Sequence, residues 1–325
     1  MKILVTGGAG YVGAHIVRWL EKQGHAVWVY DNLSRGQRRL VRPERLWEGD
    51  LCDLERLTSV LRQTSIDSVV HCAAFTAVGE SVVHPEWYYR NNVVGSWTLL
   101  EAMRLCEVRR IVFSSTAAVV GAPRQLPITE EAERHPCNPY GRTKALVEDM
   151  LADYAAAHGF AAVALRYFNA AGASPDGDLG ELHDPETHYI PLLLEVALGR
   201  RGNLTLFGDD YPTPDGSCIR DYVHVDDLAS AHLAALDRLQ PGRLAVYNLG
   251  LGRGYSNLEV AAACERVTGR PIRLERGPRR AGDPPVLVAD PRRALEELGW
   301  TPRYRELDAI IATAWNWHRA LVEER

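Results

Sequence analysis

The sequence predicts an α/β protein: a Rossmann-type doubly wound parallel sheet followed by a smaller C-terminal α/β domain. Three observations carry this prediction. Short β-branched runs alternate with amphipathic stretches through the first half of the chain. A glycine-rich turn joins the first run to the first amphipathic stretch. The second half is less regular and has loops rich in Gly, Pro and Asp at 172–187 and 208–217.

The runs KILVTG (2–7), AVWVYD (26–31), RLWEGD (45–50), SVVHCA (68–73), RIVFSS (110–115) and AVALRYF (162–168) are expected as strands, and AVYNLG (245–250) as one more. Their near-continuous apolar character suits parallel strands buried on both faces. The stretches 11–23 and 92–106 have the spacing of amphipathic helices, and RDYVHVDDLASAHLAALDRL (220–239) is expected as a helix with an Asp-rich start. A boundary is expected near 168–170. It separates a dinucleotide-binding domain, 1–169, from a mainly substrate-binding domain, 170–325, with segments near 220–250 and 285–295 returning to the first.

Bulk properties narrow the function. With 325 residues, 46% hydrophobic and 24% charged, the chain has ample material for a core. A net charge of −5 offers no basic field for nucleic acid or an anionic membrane, and no apolar run reaches membrane length. An anionic substrate would therefore need a local cluster of arginines. Six cysteines lie scattered without CxxC or CxxH spacing, so neither a disulfide framework nor a metal site is expected, and reduced thiols in a cytoplasmic protein fit better.

TGGAGYVGAH (6–15) fits G-x-G-x-x-G at Gly8, Gly10 and Gly13, and G-x-x-G-x-x-G from Gly7. Glycines let the backbone approach a pyrophosphate, and the following helix start supplies N–H donors and partial positive charge. The second strand ends at Asp31, where a carboxylate can accept from a ribose 2′-OH; this favours NAD, while Arg35 leaves NADP open. Asp50 ends the third strand in a position suited to an adenine edge. Both aspartates also suit ordinary turn capping.

Only three of the 37 basic residues are lysines: Lys2, Lys22 and Lys144. Lys144 follows Tyr140 by four residues in NPYGRTKALVED, so on a helix the two share a face. An ammonium roughly 6 Å from the phenol stabilises the phenolate by roughly 2–3 kcal/mol at an effective dielectric of about 20. That is about two pKa units, enough to bring Tyr140 toward proton exchange near pH 7–8 with a cationic nicotinamide adding more. A compact ammonium can point three donors at a ribose and a phenolate where a guanidinium cannot. The same spacing also fits a surface pair. Thr116, ending the fifth strand in FSSTAAVVG, places a hydroxyl where such a site would lie.

With these residues in view, the chain resembles the extended short-chain dehydrogenase/reductases, and within them the nucleotide-sugar 4-epimerases. The resemblance runs over essentially the whole length, through TGGAGYVGAH, YDNLSRG, the stretch from VVHCAAFTAVGES to LLEAM, FSSTAAVVG, NPYGRTK, LRYFNAAGASPDGDLGE, LFGDDYPTPDGSCIRDYVHVDDLASAH and RRAGDPP. It implies NAD-dependent interconversion of UDP-galactose and UDP-glucose by hydride abstraction at C4, rotation of the 4-keto sugar and hydride return. Tyr140, Lys144 and Thr116 are the catalytic set it implies. The cofactor set is Gly7, Gly10, Tyr11, Val12, Gly13, Asp31, Asn32, Asp50, Leu51, Cys72, Ala73, Ala74, Asn91, Ser114 and Tyr167 together with Tyr140 and Lys144.

On the substrate side the resemblance implies Asn169, Arg220 and Arg280 at the diphosphate, Phe207 stacked on uracil, Asp283 at a ribose, and Thr205, His188 and Leu287 beside them, with Thr116 and Tyr140 at the sugar. Phe207 on its own reads as a core aromatic and Asp283 as a loop turn. A homodimer through helices 92–106 and 140–157 is implied too, although their apolar faces equally suit the sheet.

Several positions depart from the family pattern. Thr76 stands where some members carry lysine, Val120 where many carry tyrosine, and His188 where many carry asparagine. Leu287 falls where members carry either a bulky tyrosine or a small residue; it is intermediate in size, so UDP-glucose and UDP-galactose are expected as the main pair with weak N-acetylhexosamine activity. A 4,6-dehydratase is disfavoured because Ala117 and Ala118 follow Thr116 where that chemistry places Asp-Glu. Epimerases of UDP-pentose or UDP-uronate and a non-catalytic NAD-binding protein are the remaining readings.

Overall fold

The computed structural model describes residues 1–280 and 283–323. The strands in chain order are β1 Lys2–Thr6, β2 Ala26–Asp31, β3 Leu46–Glu48, β4 Ser68–His71, β5 Arg110–Thr116, β6 Ala161–Tyr167, β7 Asn169–Ala171, β8 Leu204–Phe207, β9 Ile219–His224, β10 Arg243–Leu249, β11 Gly254–Ser256, β12 Leu274–Gly277 and β13 Val286–Leu287. Seven form one sheet in the order β10-β6-β5-β4-β1-β2-β3, and every pair in it is parallel. The order reverses at β1/β4, where a doubly wound sheet opens a crevice beyond the carboxyl ends of its strands.

Helices cover both faces, as burial of a parallel sheet requires. Tyr11–Lys22 and Val225–Asp237 bury Ile16, Leu20, Leu228 and Leu236 against one face. Leu54–Thr64, Gly95–Leu105 and Pro139–His158 bury Leu57, Leu99, Val147 and Leu151 against the other. Local chemistry sets the helix ends. Asp53 accepts from the Arg56 N–H at 2.9 Å to start one helix. Asn138 caps the long helix with Pro139 in its first turn, and Gly159 ends it at φ 70°.

After Tyr167 the chain leaves the main sheet, and β7 pairs instead with β9, which also carries β11 and β13; β8 and β12 form a separate pair. This second lobe closes on its own core of Leu193, Leu194, Val260, Cys264, Ile310 and Ile311. The stretch 220–239 is not one helix. Ile219–His224 is strand β9 and only Val225–Asp237 is helical, because the β-branched and aromatic IRDYVH run pairs with three neighbours before His224 caps the turn. The strand near 45–50 shrinks to Leu46–Glu48 at the sheet edge. Near 285–295 the chain does both things: β13 stays in the second lobe while Ala294 joins the core of the first.

Candidate active site

The glycine turn is sterically required. Gly7 has φ +72°, and a Cβ there would lie 2.5 Å from the Ala73 backbone nitrogen. A Cβ on Gly13 would lie 2.1 Å from the Gly7 carbonyl oxygen, so helix and strand approach more closely than any side chain permits. Gly10 begins the helix Tyr11–Lys22 without a side-chain cap, leaving the helix start to an external anion. The side chain of Tyr11 donates to the Gly172 carbonyl at 2.6 Å, tying the two lobes, while Val12 packs on the core.

Asp31 is buried at the end of β2 and accepts from the Ala9 N–H at 3.0 Å and the Leu33 N–H at 2.8 Å. Burial raises its pKa, and the two backbone donors oppose that. A carboxylate oriented this way retains acceptor capacity for a ribose diol. Arg35 does not face it as a free cation: its guanidinium pairs with Glu80 at 2.6 Å and lies 5.5 Å from the Phe75 ring centroid. Asn32 donates to Asp50 at 3.2 Å, and the Cys52 N–H donates to the same carboxylate at 2.8 Å. Burial would raise the Asp50 pKa, but these donors hold it below its ordinary value. Leu51 packs under Gly95. Asn91 donates to Asn92 at 3.0 Å, and Asn92, buried, clamps the Phe75 backbone N–H and C=O and bonds Thr143.

The ends of β4, β5 and β6 bring Cys72, Ser114, Thr116 and Tyr167 together with Tyr140 and Lys144 from the helix Pro139–His158. Ala73 and Ala74 follow Cys72 over the glycine turn. Ser114 Oγ lies 2.9 Å from His232 Nε2 and 3.2 Å from Cys72 Sγ. Lys144 is only 3% exposed; its Nζ donates to the Ser114 carbonyl at 2.8 Å and lies 4.7 Å from the Phe113 ring centroid. The Thr116 hydroxyl accepts from the Ala118 N–H at 3.2 Å and lies close enough to the Tyr140 phenol to lower its pKa.

The electrostatics differ from the sequence expectation. Burial pushes the Tyr140 phenol up to about 12, with the Thr116 hydrogen bond pulling it back. Burial likewise brings Lys144 down to about 8, opposed by the charges of Cys72 and Glu148. Desolvation, and not the attraction expected between the pair, therefore sets both directions when the protein alone is present. Tyr167, half-buried at the end of β6, is raised further still by desolvation.

Sequence reasoning missed the support behind this set. Glu148, one turn beyond Lys144, is buried and binds Arg166 through two bonds of 2.9 and 2.6 Å, and it accepts from Ser115 at 2.6 Å. Arg134 reaches the same carboxylate at 3.4 Å. The i, i+4, i+8 spacing of Tyr140, Lys144 and Glu148 was the available signal.

The second lobe supplies the other wall. Asn169, on β7, opens into a cavity shared with Gly172, Glu181, His188 and Tyr222. Arg220 is buried on β9, pairs with Asp283, and donates to the Ile219 carbonyl at 2.7 Å. Leu287, on β13, is the register partner of Arg220 and packs against the cluster containing Ala117, Val120 and Phe168. Thr205 and Phe207 share one face of β8, where a Cβ on Gly277 would lie 2.6 Å from Thr205 Cγ2. The Arg280 guanidinium stacks 4.2 Å over the Phe207 ring. His188 reaches the Asn169 cavity, but its Nδ1 lies 2.6 Å from Glu181 and 3.2 Å from Glu186, and the Glu181 charge raises it well above an ordinary histidine.

A doubly wound sheet, a glycine cradle closed to any Cβ, a strand-end carboxylate and a buried Tyr–Lys–Thr set define a dinucleotide-dependent α/β enzyme of the short-chain dehydrogenase type. Residues 3–250 match the model of the NAD dependent epimerase/dehydratase family, and the chain belongs to that family. It is 50% identical over 320 residues to the UDP-glucose 4-epimerase of Halalkalibacterium halodurans, covering 98% of this chain and 96% of that one. The crystal structure of UDP-glucose 4-epimerase from Brucella ovis in complex with NAD superposes with a TM-score of 0.93 at 50% identity, covering 97% of each chain. That of the Bifidobacterium longum enzyme in complex with NAD+ and UDP gives a TM-score of 0.94 at 39% identity over 98% of each.

Proposed function

We propose that this chain is an NAD-dependent isomerase that interconverts UDP-galactose and UDP-glucose at C4. The observation that carries the reading is the burial of Tyr140 and Lys144, one turn apart on the helix Pro139–His158, beside Thr116 at the end of β5. The cradle fits a dinucleotide because only glycine backbone occupies the approach, and Asp31 with Arg35 diverted to Glu80 favours NAD over a 2′-phosphorylated cofactor. NAD would be held by the Gly7–Gly13 turn, Asp31, Asn32, Asp50, Leu51, Cys72, Ala73, Ala74, Asn91, Ser114, Tyr140, Lys144 and Tyr167. Bound there, it supplies a hydride acceptor and donor for the sugar C4, so oxidation and reduction cancel.

The chain's residues manage protons and position. Tyr140 accepts the 4-OH proton and returns one once the sugar has turned about its link to the diphosphate, with Thr116 bonding the 4-oxygen. A positive charge beside Tyr140 lowers the cost of the phenolate that burial imposes. Asn169, Arg220 and Arg280 grip the diphosphate, Phe207 stacks on uracil, Asp283 and Thr205 take the nucleoside, and His188 and Leu287 border the sugar. The lobe after residue 169 thus anchors UDP while the hexose stays free to turn.

Six free thiols support a cytoplasmic location, and the proposed substrate pair places the enzyme in galactose metabolism. Exposed Trp97, Leu105 and Leu146 on the neighbouring helices Gly95–Leu105 and Pro139–His158 support a homodimer through that face. Incubation of the pure protein with UDP-galactose, with and without added NAD, tests the activity. UDP-glucose formed without NADH accumulation or loss of water is expected; net NADH or a dehydrated product would sink the reading. UDP-N-acetylglucosamine run alongside tests the size of the Leu287 pocket, and slower turnover is expected.

A further inference from the structure

The loop ELHDPETH (181–188), between β7 and the helix Tyr189–Ala197, gathers four ligand-type side chains that the proposed reaction does not need as a group. One donor atom from each of Glu181, His183, Glu186 and His188 lies within 4.8 Å of all the others. Neighbouring donors are closer. His188 Nδ1 is 2.6 Å from Glu181 and 3.2 Å from Glu186, and His183 Nδ1 is 3.0 Å from Glu181 and 3.7 Å from Glu186.

Glu181 is buried and Glu186 nearly so, with side chains 5% and 9% exposed. Two anions withdrawn from water this close together need positive charge between them. Among the described residues, no lysine or arginine pairs with either one; the histidines do so alone. Two imidazolium ions would meet the need, and so would one divalent cation shared by two neutral imidazoles and two carboxylates.

Geometry favours the cation. A tetrahedral ion with bonds of about 2.0–2.1 Å sets its donors roughly 3.3 Å apart. The His–Glu separations of 2.6–3.7 Å, with Glu186 meeting His188 through Oε1 and His183 through Oε2, straddle that value, and no pair of the four donors lies beyond 4.8 Å, so the short contacts open and the long ones close as the donors settle on one ion. The donor set of two imidazole nitrogens and two carboxylate oxygens suits zinc. The outer shell is already in place. The Thr187 and His188 N–H groups donate to Glu186 Oε1 at 2.7 and 2.8 Å, and Trp317 Nε1 donates to the Glu181 carbonyl at 2.8 Å. The side chains of His183 and His188 are 28% and 46% exposed, which leaves a route in from solvent.

We propose that Glu181, His183, Glu186 and His188 form a binding site for one divalent cation of the zinc type. The ion pins the loop that carries His188 to the mouth of the Asn169 cavity, and its binding does not depend on the proposed activity. The test uses the tag-free full chain as purified, treated with chelator, reloaded with Zn2+ and passed through gel filtration before metal analysis. About one Zn2+ per chain is expected, with affinity reduced about a hundredfold or more in His183→Ala and in Glu186→Gln. Equal zinc content in the wild type and in folded His183→Ala overturns the proposal, as does zinc-free wild type. Should either variant fail to fold, Co2+ loaded into the wild type decides: intense visible bands of a four-coordinate ion support the site, and the weak spectrum of hydrated Co2+ overturns it.

Discussion

Lys144, in the first lobe, and Arg220, in the second, are both buried cations, 3% and 8% exposed, yet they are held in different ways. Lys144 bonds a backbone carbonyl and lies against an aromatic ring, and among the described residues no carboxylate pairs with it. Arg220 is paired with Asp283. A buried ammonium without a counter-ion is poised: its charge is costly, and a neighbouring change of charge moves it readily. A buried guanidinium with a partner is an anchor whose fork holds a fixed direction. On the proposed function, the Lys144 end would respond during turnover and the Arg220 end would hold still.

Substitutions should separate the two ends. The largest expected effect is that of Tyr140→Phe, which removes the proposed proton acceptor: kcat with UDP-galactose falls roughly a thousandfold while KM changes little. An equal rise in KM would mean that the two ends are not distinct. Lys144→Arg keeps charge but puts a planar fork where Nζ is sealed between Ser114 and Phe113; steady-state rates should show roughly a hundredfold loss, again in kcat. Near-normal turnover would show that the lysine is not needed as lysine.

At the anchor, Arg220→Ala should act mainly on KM, raising it about tenfold to a hundredfold, because charge-assisted bonds worth roughly 1.5–3 kcal/mol are lost. Leu287→Ala should raise the rate on UDP-N-acetylglucosamine relative to UDP-glucose by about tenfold, the range that a few methylenes in a pocket supply. An unchanged ratio would place the N-acetyl group elsewhere.

The smallest signal sharpens the same contrast by pH. In NAD-free protein the Tyr140 phenol titrates at about 12, above its ordinary value, so it stays protonated as pH rises through 10. An ultraviolet difference titration of wild type against Tyr140→Phe should show no tyrosinate from this residue below about pH 10. Loading NAD brings a positive ring beside it and should shift the titration downward; no shift would remove the responsive character assigned to this end.

Much of the site followed from order along the chain. The glycine turn, Asp31, Asp50, Thr116 and the Tyr140–Lys144 spacing each rest on a local pattern, because a helix start, a strand end and one helical turn are short-range geometries. The 220–239 stretch misled because its Asp-rich helix is preceded by six residues whose partners, β7, β11 and β13, come from distant parts of the sequence. The absence of cysteine ligands likewise drew attention away from the loop 181–188, where histidines and glutamates converge only once the loop has folded.

The sequence alone determined the class of sheet, the glycine turn that opens its first helix and the one-turn spacing of Tyr140 and Lys144, since periodicity and spacing encode them directly. Only the tertiary structure decided the charge states and partners. Burial set the direction of the Tyr140 and Lys144 shifts against the attraction expected from spacing. The fold also brought Asp283 to Arg220, Arg280 over Phe207 and Glu148 to Arg166. Desolvation and long-range pairing depend on what surrounds a residue in space, and no local pattern carries that information.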